Sequence, residues 1–151
     1  METPSATTNL DRSKFSKFPY LQRVEKPWGY EIIFTPPELP YTGKILNIKA
    51  RQETSFQYHD KKLESWYLLS GKVVMVREDR DGNVQKQEMQ TGVGYTNYEG
   101  QKHRLIARND SQILEVSTPE IGNTYRLEDN YNRPTETETL RAAPNRGWDD
   151  E

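Results

Sequence analysis

Two histidines, a glutamate and a glutamine stand in this chain at spacings that suit a metal centre. Gln57 and His59 lie two apart in SFQYH, so in an extended segment both side chains project to the same face. After a short DKKL link, Glu64 opens ESWYLLS with Trp66 and Leu68 on its own face, which sets a carboxylate at the mouth of an apolar interior. Such an acid needs a partner. His103 begins HRLIAR just past Gly100, where a later strand can bring it back over the first pair. Two imidazoles, a carboxylate and an amide oxygen make an acceptable ligand set for Zn, Fe, Mn, Co or Ni, and one too rich in nitrogen for Ca or Mg. The set therefore implies one divalent transition metal without choosing among them. Without the amide, two His and one Glu are the facial set of non-haem iron.

The elements that must position these residues read as strands. Helical periodicity is scarce between residues 20 and 133, while short alternating segments rich in Ile, Val and Tyr recur. They are WGYEIIF (28–34), GKILNIKA (43–50), ESWYLLS (64–70), KVVMVRE (72–78), VQKQEMQ (84–90), GYTNY (94–98), HRLIAR (103–108), QILEVST (112–118) and TYRLE (124–128). Asp81-Gly82-Asn83 and Asn109-Asp110-Ser111 suit tight turns between them. Many short strands in one domain of this length give an all-β sandwich or barrel.

The 151 residues suffice for one domain. A mean hydropathy of −1.02 looks too polar for a packed core until the polar residues are located. They crowd the ends. Residues 1–19 are predicted to form a flexible N-terminal arm and 134–151 an acidic, disordered tail, which leaves 20–133 as the folded unit. The arm carries a net charge of +1 and the tail −3, so with −2 overall the middle is formally neutral. A neutral unit lacks the basic stripe that a phosphate backbone requires, so nucleic acid is not an expected partner. No apolar run approaches the roughly 20 residues of a membrane span. With no apolar signal segment at the N-terminus and no cysteine, the expected compartment is the cytoplasm.

The spacing of the candidate ligands resembles the two motifs of the cupin superfamily. The first usually reads His-x-His, three or four residues, Glu, six residues, Gly; this chain has Gln57-Tyr58-His59, four residues, Glu64, six residues, Gly71. The second reads Gly, five residues, Pro-x-Gly, two residues, His; this chain has Gly92, five residues, Tyr98-Glu99-Gly100, two residues, His103. Gln57 replaces the first His and Tyr98 the Pro. Within the superfamily the chain is most similar to the C-terminal cupin domain of type II mannose-6-phosphate isomerases, here without the pyrophosphorylase domain to which it is usually fused. The similarity runs through Lys26-Pro27-Trp28-Gly29-Tyr30-Glu31, Ser55 to His59, Glu64-Ser65-Trp66, Gly100 to Leu105, and Arg126 to Arg133. Gln at the first-ligand position is usual in that branch.

The resemblance implies a double-stranded β-helix, that is, a cupin or jelly-roll-like barrel, with a metal held by Gln57, His59, Glu64 and His103. It further implies aldose–ketose isomerisation of a sugar phosphate or related carbohydrate, in a homodimer. The Arg that the family associates with catalysis is Lys62 here, and neighbouring His positions are Lys61 and Ser65. Lys keeps the charge but loses the planar fork. In this reading Lys62 and Arg104 stabilise negative charge in the reaction, while Lys61, Trp66 and Arg126 contact the substrate. Two other readings keep the same ligands: a non-haem-iron dioxygenase, and a cupin that binds a carbohydrate or sugar nucleotide without turning it over.

Overall fold

The computed structural model describes residues 10–148. All nine predicted strands form, and two more join them. In chain order they are β1 (Gln22–Lys26), β2 (Gly29–Ile33), β3 (Thr42–Ile48), β4 (Phe56–His59), β5 (Glu64–Ser70), β6 (Val73–Glu78), β7 (Val84–Glu88), β8 (Gly94–Asn97), β9 (His103–Ala107), β10 (Ser111–Ser117) and β11 (Thr124–Glu128). β4 is the short strand on which Gln57 and His59 sit. β1 had no alternating pattern to give it away, because Val24 is its only buried apolar residue.

Two antiparallel sheets stack face to face. One runs β1-β2-β3-β10-β5-β8 and the other β11-β4-β9-β6-β7. The sheets are not closed into a barrel; each ladder ends at its own edge strands, so the jelly-roll architecture is present as an open sandwich. Alternation drives the packing, since β10 reads buried at Ser111, Ile113, Glu115 and Ser117 and turns Gln112, Leu114 and Val116 outward. Ile48, Trp66, Leu68, Val73, Met75, Leu105 and Ile113 fill the space between the sheets. Gly29, at φ +149°, sits where a Cβ would come within 1.9 Å of the Asn47 carbonyl oxygen, so only glycine lets β2 close on β3 at the turn after Lys26.

The chain does not leave the sandwich at residue 133. Thr124 and Glu136 exchange backbone hydrogen bonds of 2.9 Å, and Glu136 is buried. The Thr137 hydroxyl then caps a four-residue helix, α1 (Glu138–Arg141), by accepting from the Leu140 N–H. A short 3₁₀ segment follows at Pro144–Gly147, with Asn145 and Arg146 both left-handed at φ 45° and 55°. Two such residues in succession are costly and persist only when tertiary contacts hold them. Here the Arg146 guanidinium is delivered inward onto three carboxylates. The expectation of a disordered tail from 134 therefore fails for residues 134–148: composition hid a segment whose charges are paired inside. Of the expected N-terminal arm, residues 10–19 are described as an exposed stretch with one 3₁₀ turn at Arg12–Lys14, and residues 1–9, like 149–151, lie outside the described residues.

Candidate metal centre

The cavity between the sheets is where the candidate ligands meet. Gln57 of β4 pairs with His103 of β9, and on the other side of β4, Thr124 and Arg126 of β11 face His59 and Gln57. Glu64 reaches the same point from β5 of the opposite sheet. The centre is thus shared by both sheets. Glu64 Oε1 lies 2.8 Å from His103 Nε2 and 3.6 Å from His59 Nε2, and all three side chains are buried. Ligand atoms bonded to one ion at about 2.1 Å, at angles of 90–110°, stand about 3.0–3.4 Å apart, close to this spacing. His59, Glu64 and His103 form a group able to hold a metal ion.

Hydrogen bonding orients each imidazole for that task. His103 Nδ1 lies 2.8 Å from the Gln101 carbonyl, which only accepts, so Nδ1 carries the hydrogen and Nε2 presents its lone pair. That Nε2 is buried and has no hydrogen-bond partner, although Glu64 Oε1 is beside it. A lone pair facing a carboxylate at this distance is repulsive unless a cation lies between them, which is the fit a metal would satisfy. His59 Nδ1 is held 2.9 Å from the Thr124 hydroxyl. Burial pushes the His59 pKa down to about 4, despite the pull of Glu64, so the ring is neutral and free to ligate at neutral pH.

Gln57 Nε2 is 3.5 Å from His59 Nε2, and its Oε1 accepts from Ser55 Oγ at 2.5 Å. A hydroxyl accepts as well as it donates, so a half-turn of the amide keeps the Ser55 contact and turns Oε1 to the centre. Burial works to raise the Glu64 pKa, and the Lys62 ammonium, 3.3 Å from Oε2, outweighs it and holds the acid ionised, well below the usual carboxylate range. With Oε2 taken by Lys62, Glu64 offers Oε1 alone to an ion.

Behind the ligands lies a buried ionic lattice that the motif comparison did not anticipate. Lys62 also touches Glu115 at 3.0 Å and Glu120 at 3.4 Å, and Lys44 meets Glu31, Glu115 and Glu120 at 3.4, 3.6 and 2.5 Å. Arg146 closes it by pairing with Glu31, Glu120 and Glu136. Glu115 is pushed up to about 7 by burial and by Glu64 beside it. A sequence signal existed for part of this, because Glu31, Lys44 and Glu115 fall on inward positions of alternating strands. No such pattern marked Glu120, Glu136 or Arg146.

The remaining expected site residues divide. Trp66 lines the cavity, packing edge-on against His103 with ring centres 5.4 Å apart and donating from Nε1 to Glu115 at 3.4 Å. Arg126 also lines it and is bonded to Glu136 and the Pro134 carbonyl. Lys62 faces the cavity but is committed to three carboxylates, which leaves it no free donor direction toward a substrate. Lys61 is exposed and lies outside the cavity wall, since adjacent residues of the link point opposite ways. Arg104 is likewise turned away, because it follows His103 on β9 and alternation sends it to the outer face, where it bonds Thr54 and Glu128. The two expected roles for Lys61 and Arg104 at the centre do not survive this geometry.

Solved structures share this arrangement of sheets. An arginine-to-alanine variant of oxalate decarboxylase from Bacillus subtilis superposes with a TM-score of 0.64 at 18% identity over 78% of this chain and 34% of that one. A tryptophan-to-tyrosine variant of the same enzyme superposes at 0.60 and 19% identity over 72% and 31%. The chain has the cupin fold. KdgF from a Halomonas species matches at 0.55 and 16% identity over 67% of this chain and 88% of that one. The chain spans about a third of the length of the oxalate decarboxylase chains. No protein-family model and no curated protein matches this chain. Among the described residues, no helix is long and apolar enough to cross a membrane.

Proposed function

We propose that this cupin is a metal-dependent isomerase that holds a divalent transition ion on His59, Glu64 and His103, with Gln57 as a fourth ligand, and shifts a proton between adjacent carbons of a sugar phosphate or related carbohydrate. The observation that carries the reading is the unpartnered lone pair of His103 Nε2 facing Glu64 across 2.8 Å. A bound divalent ion supplies Lewis acidity toward substrate oxygens. The chain's own residues do the rest. Thr124 and the Gln101 carbonyl fix the imidazoles, and Lys62 keeps Glu64 ionised.

Six cationic side chains and five carboxylates line the cavity, so its wall favours an anion even before a metal adds its charge. The cavity measures about 70 Å³, and Glu136 and Arg146 reach it from the C-terminal segment. A second copy of the chain is supported by the outer face of the six-stranded sheet, where Phe34, Tyr67, Leu69 and Val116 are exposed.

Metal-loaded protein incubated with mannose 6-phosphate and other aldose phosphates in D₂O is expected to place deuterium at C2 and form ketose; absence of both with every sugar rejects the isomerase. Manganese belongs among the ions tried, since one structure of similar fold concerns the Mn(II) centres of oxalate decarboxylase. The two-His, one-Glu set supports a second reading, oxygen chemistry at iron. Oxygen uptake by ferrous but not zinc protein would favour it.

A further inference from the structure

An isomerase needs a group that takes a proton from one carbon and returns it to the next. Among the described residues, no cavity carboxylate is free to do so. Glu31 is paired with Lys44 and Arg146, Glu64 with Lys62, and Glu136 with Arg126, Arg141 and Arg146. Glu115 and Glu120 share Lys44 and Lys62. The other cations of the wall are held by the same acids or, for Arg133, by Asp129.

Lys26 differs from all of these. It lies on the inner face of β1, two residues after the buried Val24, and its strand partner Gly29 is two residues before Glu31 on the inner face of β2. It lines the same cavity as His59, Glu64 and His103. Among the described residues no carboxylate or carbonyl bonds its amine, and Nζ is not one of the sealed, partnerless atoms, so it keeps contact with open space. We propose that Lys26 is the acid–base residue of this cavity, the ionisable side chain of its wall that is neither an ion-pair member nor a metal ligand. The assignment rests on the isomerase reading for its substrate, an aldose phosphate.

The surroundings agree with the role. Burial lowers the Lys26 pKa to about 8; Glu31 and Glu136 pull it up, while Arg146 and Lys44 press it down. An amine in that range both accepts and releases a proton near neutral pH. Neutral Lys26 takes the proton from C2; the C–H electron pair becomes the C1=C2 bond and the carbonyl π pair moves onto O1. The ammonium then returns a proton to C1 as the O2 hydroxyl proton passes to O1 and C2=O forms. No outside oxidant or reductant is consumed, and Lys26 ends as it began.

Two readouts test this. Trace acetylation of the metal-loaded wild-type protein across a pH series, quantified by mass spectrometry for the Lys26 peptide against exposed Lys86, is expected to show Lys26 titrating near pH 8, about two units below Lys86. Lys26 titrating together with Lys86 overturns the proposal. The variant Lys26→Arg keeps the charge but has no neutral form near pH 8. It is expected to retain wild-type metal content while losing about 100-fold or more of the C2 deuterium exchange on mannose 6-phosphate. Undiminished exchange in Lys26→Arg overturns the proposal as well. If the wild-type protein itself exchanges nothing, the isomerase reading fails, and the acetylation titration alone decides the acid–base character of Lys26.

Discussion

The five-stranded sheet brings Gln57, His59 and His103 to the cavity, steered by neutral partners (Ser55, Thr124 and a backbone carbonyl), whereas the six-stranded sheet brings Glu31, Lys44, Glu64 and Glu115, held by charge through Lys44 itself and through Lys62 of the link before β5. One wall is built for ligation and the other for charge balance. Glu64 belongs to both, with Oε1 facing the imidazoles and Oε2 facing Lys62. A buried carboxylate is useful to a metal only while ionised, and the ionic wall keeps it so.

Removing Lys62 should separate the two walls most sharply. Lys62→Met strands Glu64 and Glu115 without a shared counter-charge, and a loss of about 3–5 kcal/mol in urea unfolding is expected. The double variant Lys62→Met/Glu115→Gln should recover part of it, because the leftover negative charge goes too; equal instability in both would mean that the lattice is not held by charge. On the ligating wall, His103→Ala should leave the fold intact and weaken metal binding by on the order of 100-fold, read by competition with a chromophoric chelator. Thr124→Val, which only frees the His59 ring, should weaken it by about tenfold.

A smaller effect is expected at Lys26, and its sign is informative. Its folded pKa, about 8, lies below the unfolded value near 10.4, so between those values the unfolded chain binds more protons and stability rises with pH. Below pH 8 both states are protonated and the full penalty of the buried ammonium is present. Lys26→Met should therefore raise Tm at pH 7 by about 2–4 °C, on the order of 1 kcal/mol, and the gain should vanish above pH 10.5. Arg104→Ala, on the outer face, should change metal affinity not at all and stability by less than about 1 kcal/mol.

Spacing made the ligating wall legible. Motif distances and period-two alternation are local, so Gln57, His59, Glu64 and His103 could be read from the chain with the nine strands that carry and surround them. The ionic wall depends on which strands lie opposite, and that is a long-range fact. Arg146 pairs with Glu31 across 115 positions of sequence, through a backbone turn that no propensity favours. For the same reason, Lys61 and Arg104 were drawn to the centre by their nearness in sequence to Glu64 and His103, when alternation should have turned them away. The polar composition of 134–148 reads as solvated chain because composition does not record that its charges have partners.

The most direct measurement is the structure and elemental content of the protein purified without chelators. One transition ion per chain, bonded to His59 Nε2, Glu64 Oε1 and His103 Nε2 and identified by its anomalous signal, is the expected result. An ion held by other residues, or a centre that stays empty when the crystal is soaked in manganese, iron and zinc, would contradict the account.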